Sequence, residues 1–151
     1  MAVVQSTYAA SIAPGYPGMV ANGETSNRLS RTVEDAAGIP FGRAAFRGAG
    51  DNGVTATPAA DRFMGIVIAD HGIQPLPGGV AADVVPRYAS AALLNEGEIW
   101  GVAGEAVADG DPVYVTPAGA FVKTASTNVR IPATFDDTVS SGAPVRLRVA
   151  R

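Results

Sequence analysis

Val113-Tyr114-Val115-Thr116-Pro117-Ala118-Gly119-Ala120-Phe121-Val122-Lys123 is written as a β-hairpin. Its two arms are short and rich in β-branched and aromatic residues, which suit a pleated, half-buried surface. Between them Pro117 presets the φ of a turn, and Gly119 can take the left-handed conformation that ends a three-residue loop. Outward from this hairpin the same texture repeats. The closing stretch Val145-Arg146-Leu147-Arg148-Val149 alternates strictly, so that Val145, Leu147 and Val149 face a core while Arg146 and Arg148 face out. A strand with one wet face belongs to an antiparallel sheet or barrel.

Upstream, Ala91-Ala92-Leu93-Leu94 and Glu98-Ile99-Trp100-Gly101-Val102 flank Asn95-Glu96-Gly97, which reads as a second hairpin turning at Gly97. Asp109-Gly110 is the pivot of a further turn. Phe63-Met64-Gly65-Ile66-Val67-Ile68-Ala69 is a nearly continuous apolar run and the best candidate for a buried strand. Ile39 to Gly48 reads as one strand carrying a glycine bulge at Gly42, and Ala49 to Gly53 as a turn. Gln74 to Gly79, with two Pro and two Gly, is a surface loop. No apolar stripe of helical period persists. The expected fold is therefore mainly β: a single antiparallel barrel or sandwich-like domain of short strands spanning residues 28–151.

Residues 1–27 differ in character. Two Pro-Gly steps punctuate them and few side chains could fill a core. They read as an extended N-terminal arm. Tyr8, Ile12, Tyr16, Met19 and Val20 are more apolar than a solvated tail needs, which favours docking on a neighbour over a disordered terminus.

The chain has 151 residues, no Cys, one His and a formal net charge of −3. Twenty-eight residues are Ala and eighteen are Val, so the core is thin and built largely from β-branched side chains. The missing Cys excludes disulfides, thiolate metal sites and a Cys nucleophile. The start of the chain lacks a basic stretch followed by an apolar run, so no secretory signal is expected, and no segment approaches the ~18 apolar residues of a membrane span. Net acidity gives no footprint for nucleic acid. His71 is the only base available to a nucleophile. Asp70 beside it would point to the opposite face of a strand, so no triad is expected. Asp109 and Asp111 resemble a fragment of a calcium loop, but no spaced carboxylates follow. No cofactor is expected.

Ten Arg stand against one Lys, Lys123. Codon bias towards Ala, Gly, Pro and Arg would produce such an excess, and so would selection for interfaces, where Arg is enriched and Lys depleted. Arg28 and Arg31, and Arg146 and Arg148, form two Arg-rich strand faces. With few aromatics nearby they read as solvated faces or subunit contacts rather than nucleic-acid sites.

The order of these segments resembles the structural cement, or capsid decoration, proteins of tailed bacteriophages. Four stretches carry the likeness: Asn27 to Glu34 with Ile39 to Ala44; Phe63 to Val67; Glu96 to Val102 leading to Val107 to Val115 and Gly119 to Phe121; and Ile131 to Phe135 followed by the closing strand. The resemblance implies a β-rich homotrimer on the outer surface of a virion capsid, assembled in the host cytoplasm. Its partner would be the major capsid protein, with no nucleic acid and no membrane. On that reading Tyr8, Ile12, Tyr16, Met19, Val20, Arg28, Arg31, Arg146 and Arg148 are the interface candidates. The alternative is a β-barrel module for carbohydrate or another small ligand, with Trp100, Tyr114, Tyr88 and the 72–79 loop lining its site.

Overall fold

A computed structural model describes residues 13–73 and 81–150. Their regular elements are all strands: β1 Asn27–Val33, β2 Ile39–Pro40, β3 Ala44–Arg47, β4 Gly53–Thr55, β5 Phe63–Val67, β6 Val84–Val85, β7 Ser90–Val102, β8 Pro112–Val115, β9 Phe121–Val122, β10 Val129–Phe135 and β11 Pro144–Val149. Nine of them run β1-β4-β3-β5-β7-β11-β10-β8-β9, and a further pairing of β1 with β7 closes the first five into a barrel. The pairs are antiparallel except β1 with β4. The mainly β, barrel-type domain read from the sequence is the fold.

The long strand β7 joins two halves. Its first part pairs with β1 and β5, its second with β11. The second sheet, β7-β11-β10-β8-β9, curls until a bridge between Ala103 and Phe121 brings its ends together. The expected hairpin at Asn95-Glu96-Gly97 is therefore absent, and the strand runs straight through. Its turn-like residues serve a change of partner instead. The register against β1 shifts between Asn27, opposite Glu96, and Arg28, opposite Leu94, so Asn95 is the extra residue of a bulge, and Gly97 follows at φ +122°. Gly42 also differs from expectation. It takes φ +70° in a turn that separates β2 from β3, where a bulge in one strand was expected.

The 113–123 hairpin forms as read. The Thr116 N–H and the Ala120 carbonyl bond at 3.0 Å across the loop, and Gly119 sits at φ +80°. The run Phe63–Val67 is apolar throughout because the sheet β3-β5-β7 is covered on both faces. Ala45, Val67 and Leu93 face the closed barrel with Val33, Val54 and Ile39. Their sequence neighbours Ala44, Ile66 and Leu94 face the opposite way, with Phe46, onto the second half and its core of Ile99, Phe121, Ile131, Phe135 and Leu147. The short β2–β6 ribbon places Ile39 and Val85 beside Val33 and stops one end of the barrel. The other end, where β1 and β5 begin, has no such plug among the described residues.

Candidate functional site

The chain's surface chemistry concentrates where the described part of the arm crosses β7. Gly18 N–H donates to the Trp100 carbonyl (2.8 Å), Trp100 N–H to the Met19 carbonyl (2.9 Å) and Ala21 N–H to the Glu98 carbonyl (2.9 Å). Residues 18–21 thus add a short strand to the free side of β7, centred on a Val20–Ile99 bridge. The Ala69 N–H donates to Gly18 on the arm's other side (2.9 Å). Gly15 lies against the Trp100 indole so closely that a Cβ there would fall 2.5 Å from the ring. Trp100 is buried as a result, at 9% exposure.

Below Trp100 on the same face of β7 sits Glu98, 1% exposed and the one buried charged residue among those described. Asn22 Nδ2 donates to its Oε2. Arg146 Nη1 lies 3.4 Å and Arg148 Nη2 3.7 Å from its Oε1. Arg146 also binds Asp137, at 2.6 Å, and Arg148 reaches Glu24 at 3.1 Å and Asp136 at 3.4 Å. The network joins the arm to β7, β11 and the turn after β10. Four carboxyls face two guanidiniums, so full ionisation is unfavourable. Burial, together with a hydrogen bond to Asp136, pushes Glu98 up to about 7. The hydrogen bond from Glu98 holds Asp136 below its ordinary value, and that from Arg146 does the same for Asp137. A protonated Glu98 also accounts for its Oε1, which accepts no hydrogen bond although both guanidiniums lie near it: that oxygen carries the proton shared with Asp136.

The two shifts act in opposite pH windows. Glu98 is raised, so the stability it lends is complete below its ordinary 4.5 and is lost as the pH rises through about 7. Asp136 and Asp137 are lowered, so their contribution is present above their ordinary 3.8 and is lost as the pH falls below it. Stability measured by urea unfolding should therefore peak near pH 5 and decline towards pH 8, by up to about 1.4 kcal/mol per pH unit. Glu98→Gln should flatten that alkaline decline; a decline unchanged in the variant would remove Glu98 as its source.

These contacts relocate several residues read from the sequence. Arg146 and Arg148 do face out, yet both are engaged by carboxylates of their own chain. Val20 is half-buried in the seam. Tyr16 and Met19 remain open, at 47% and 37% exposure. Arg28 is exposed and Arg31 half-buried on β1, away from the arm. Tyr8 and Ile12 lie outside the described residues, as does most of the 72–79 loop. The seam itself was not legible in the sequence, because Gly15, Gly18 and Asn22 read as loop residues. The only local signal for it was an acid, Glu98, directly before the apolar pair Ile99-Trp100.

Beside the seam a cleft of about 490 Å³ is lined by Tyr16, Phe41, His71, Val102 and Phe121, with Asp83 among the residues around it. His71 is exposed and its Nε2 lies 3.1 Å from the Tyr16 hydroxyl. Asp70 accepts the Gly72 N–H (2.8 Å) in a local turn. Asp111 likewise accepts the Ala108 N–H of its own turn and pairs with Lys123 at 3.7 Å. The aromatics of the carbohydrate reading are dispersed: Trp100 lies under Gly15, Tyr114 under the Arg130 guanidinium, and Tyr88 stands out by itself, stacked by Arg87.

No curated protein sequence matches the chain significantly. A chain in the capsid of Myoviridae phage XM1 shares 18% identity over 95% of both chains, with a TM-score of 0.68, which establishes a common fold. The N base of the head fibre gp8.5 of bacteriophage phi29 overlaps 83% of this chain and 95% of its own at 14% identity, with a TM-score of 0.48. A family model described as structural cement protein (E217 gp24/Pam3 gp6) matches residues 4–150. Spanning nearly the whole sequence, that match makes the chain a member of the structural cement protein family, with a structural rather than enzymatic role in a phage capsid.

Proposed function

We propose that the protein binds the outer surface of the assembled capsid as a homotrimer and stabilises contacts between major shell subunits. In this reading residues 28–151 are the shell-binding body. Residues 1–27 are the arm, anchored on that body by Gly15 to Glu24 and carrying partner contacts through Tyr8, Ile12, Tyr16 and Met19. The observation that carries the reading is the anchored seam. It pins the arm's root to β7 yet leaves Tyr16 and Met19 exposed beside an apolar cleft, where a neighbouring subunit can cover them.

A protein that binds only the assembled shell stabilises it by mass action, by about 2.7 kcal/mol per site when its concentration is a hundredfold above Kd. Many such sites act together over a capsid. Mass measurement in solution should give three copies, and shells lacking the protein should take it up saturably and melt at a higher temperature. A monomer that leaves the shell melting temperature unchanged would refute the proposal.

A further inference from the structure

At the unplugged end of the barrel a second, smaller cavity of about 300 Å³ opens. Leu29 of β1 with Phe63 and Met64 of β5, all half-buried, and the exposed Pro132 of β10 supply its apolar side chains. Arg31 of β1 and Arg47 at the end of β3 complete the polar side of its lining with Asn95, the bulged residue of β7. No lining residue is acidic. No carboxylate of the described residues lies within 4 Å of either guanidinium, and Arg31 donates only to the neighbouring Ser30 carbonyl, at 2.8 Å. Asn95 Oδ1 is buried and has no donor.

The contrast with Arg146 and Arg148 is instructive. There the chain supplies carboxylates of its own; here two guanidiniums without a carboxylate, an orphaned amide oxygen and an apolar surface meet. A buried acceptor without a donor is destabilising, so its persistence at a cavity wall points outward. Mouths of small barrels are also common places for binding.

We propose that this mouth receives an acidic segment of a protein partner: an extended stretch whose Glu or Asp carboxylate is forked by Arg31 and Arg47, and whose backbone N–H donates to Asn95 Oδ1. The guanidinium fork suits a planar carboxylate in two-bond geometry. The apolar lining of Leu29, Phe63 and Met64 takes the aliphatic stem of the acid, and Met64 adapts its shape to it. This deepens the cement reading by assigning the barrel mouth to an acidic surface of the shell.

Two measurements on the full-length protein test it. In the first, amide and side-chain resonances are followed as an alternating Glu-Ala hexapeptide with blocked ends is added, against the Gln-Ala counterpart and against inorganic phosphate. The Asn95 side-chain amide and the Arg31 and Arg47 Nε–H signals should shift with the Glu peptide only. Equal shifts with the Gln peptide, or shifts with phosphate and none with peptide, would overturn the proposal. In the second, shells lacking the protein are titrated with wild type, with Arg31→Ala/Arg47→Ala and with Lys123→Ala, a control that removes one positive charge outside the mouth's lining. The double variant should keep its melting temperature and lose at least tenfold in shell affinity, with a weaker salt dependence, while Lys123→Ala binds as wild type does. Equal shell binding by wild type and a folded double variant would sink the acidic-segment proposal and leave the cement reading standing. Wild type that fails to bind shells while its mouth still titrates with the Glu peptide would do the reverse.

Discussion

Deleting residues 1–24 should lower the unfolding free energy by about 3–5 kcal/mol while leaving a folded but weakened barrel. Four backbone hydrogen bonds are lost with the segment, three to β7 and one to Ala69. Each contributes about 0.5–1.5 kcal/mol net, since water replaces part of the interaction. Trp100 loses its cover, and exposing a large apolar side chain costs about 1.5–3 kcal/mol. Glu98 loses Asn22, and Arg148 loses Glu24. These terms do not add fully, because water reaching Glu98 also relieves its burial. A domain of this size typically has about 5–15 kcal/mol in hand, so the body should still fold. Trp100 is the sole tryptophan, which makes the measurement clean. The truncated protein should show a red-shifted emission before unfolding and a lower urea midpoint. An unchanged midpoint with unshifted emission would mean that the seam contributes nothing. Deletion of 1–12 alone keeps all these contacts, and is therefore the variant that isolates the proposed partner contacts of Tyr8 and Ile12.

That prediction shows where the sequence could be read and where it could not. Signals confined to a few neighbouring residues were legible. Pro117 and Gly119 specify their turn locally, and the alternation of Val145 to Val149 specifies its faces. The unbroken run Phe63 to Val67 announces burial on both sides, though not that two separate cores provide it. What failed was whatever depends on residues far apart in the chain. Asn95-Glu96-Gly97 has the composition of a hairpin turn, and the same composition suits a bulge where a long strand changes partners. Only the presence of β1 and β11 on successive stretches of β7 decides between them. Arg146 and Arg148 were correctly placed on the wet face of their strand. Their carboxylate partners, Glu24, Glu98, Asp136 and Asp137, come from three other segments, and alternation says nothing about them. The docking of residues 15–24 on β7 is the same kind of fact. Its bonds are backbone bonds, open to many sequences, and its selective features are the absence of a side chain at Gly15 and at Gly18, which sits at φ +85°, and the amide of Asn22.

Truncating Phe46 to Ala should cost about 3–5 kcal/mol and lower the melting temperature by about 6–20 °C, still in a single transition. Phe46 is wholly buried and meets Phe63 edge to face, with ring centroids 6.1 Å apart. Its removal leaves a cavity against the larger core, whose strands β8 to β11 lie on the far side of the sheet from the closed barrel. Were the two halves independent, such a cavity would loosen one and spare the other. The shared sheet argues against that. Leu93 and Leu94 are adjacent on β7 and fill different cores, so one strand cannot leave either core without leaving both. Leu93→Ala and Leu94→Ala should therefore each lower the same transition, by about 2–5 kcal/mol. Far-UV circular dichroism, which reports all strands, and Trp100 fluorescence, which reports the second part of β7, should give coincident curves for both variants. Separated curves in Leu93→Ala, with the fluorescence change delayed, would show instead that the closed barrel can melt while the second half stays folded around Trp100.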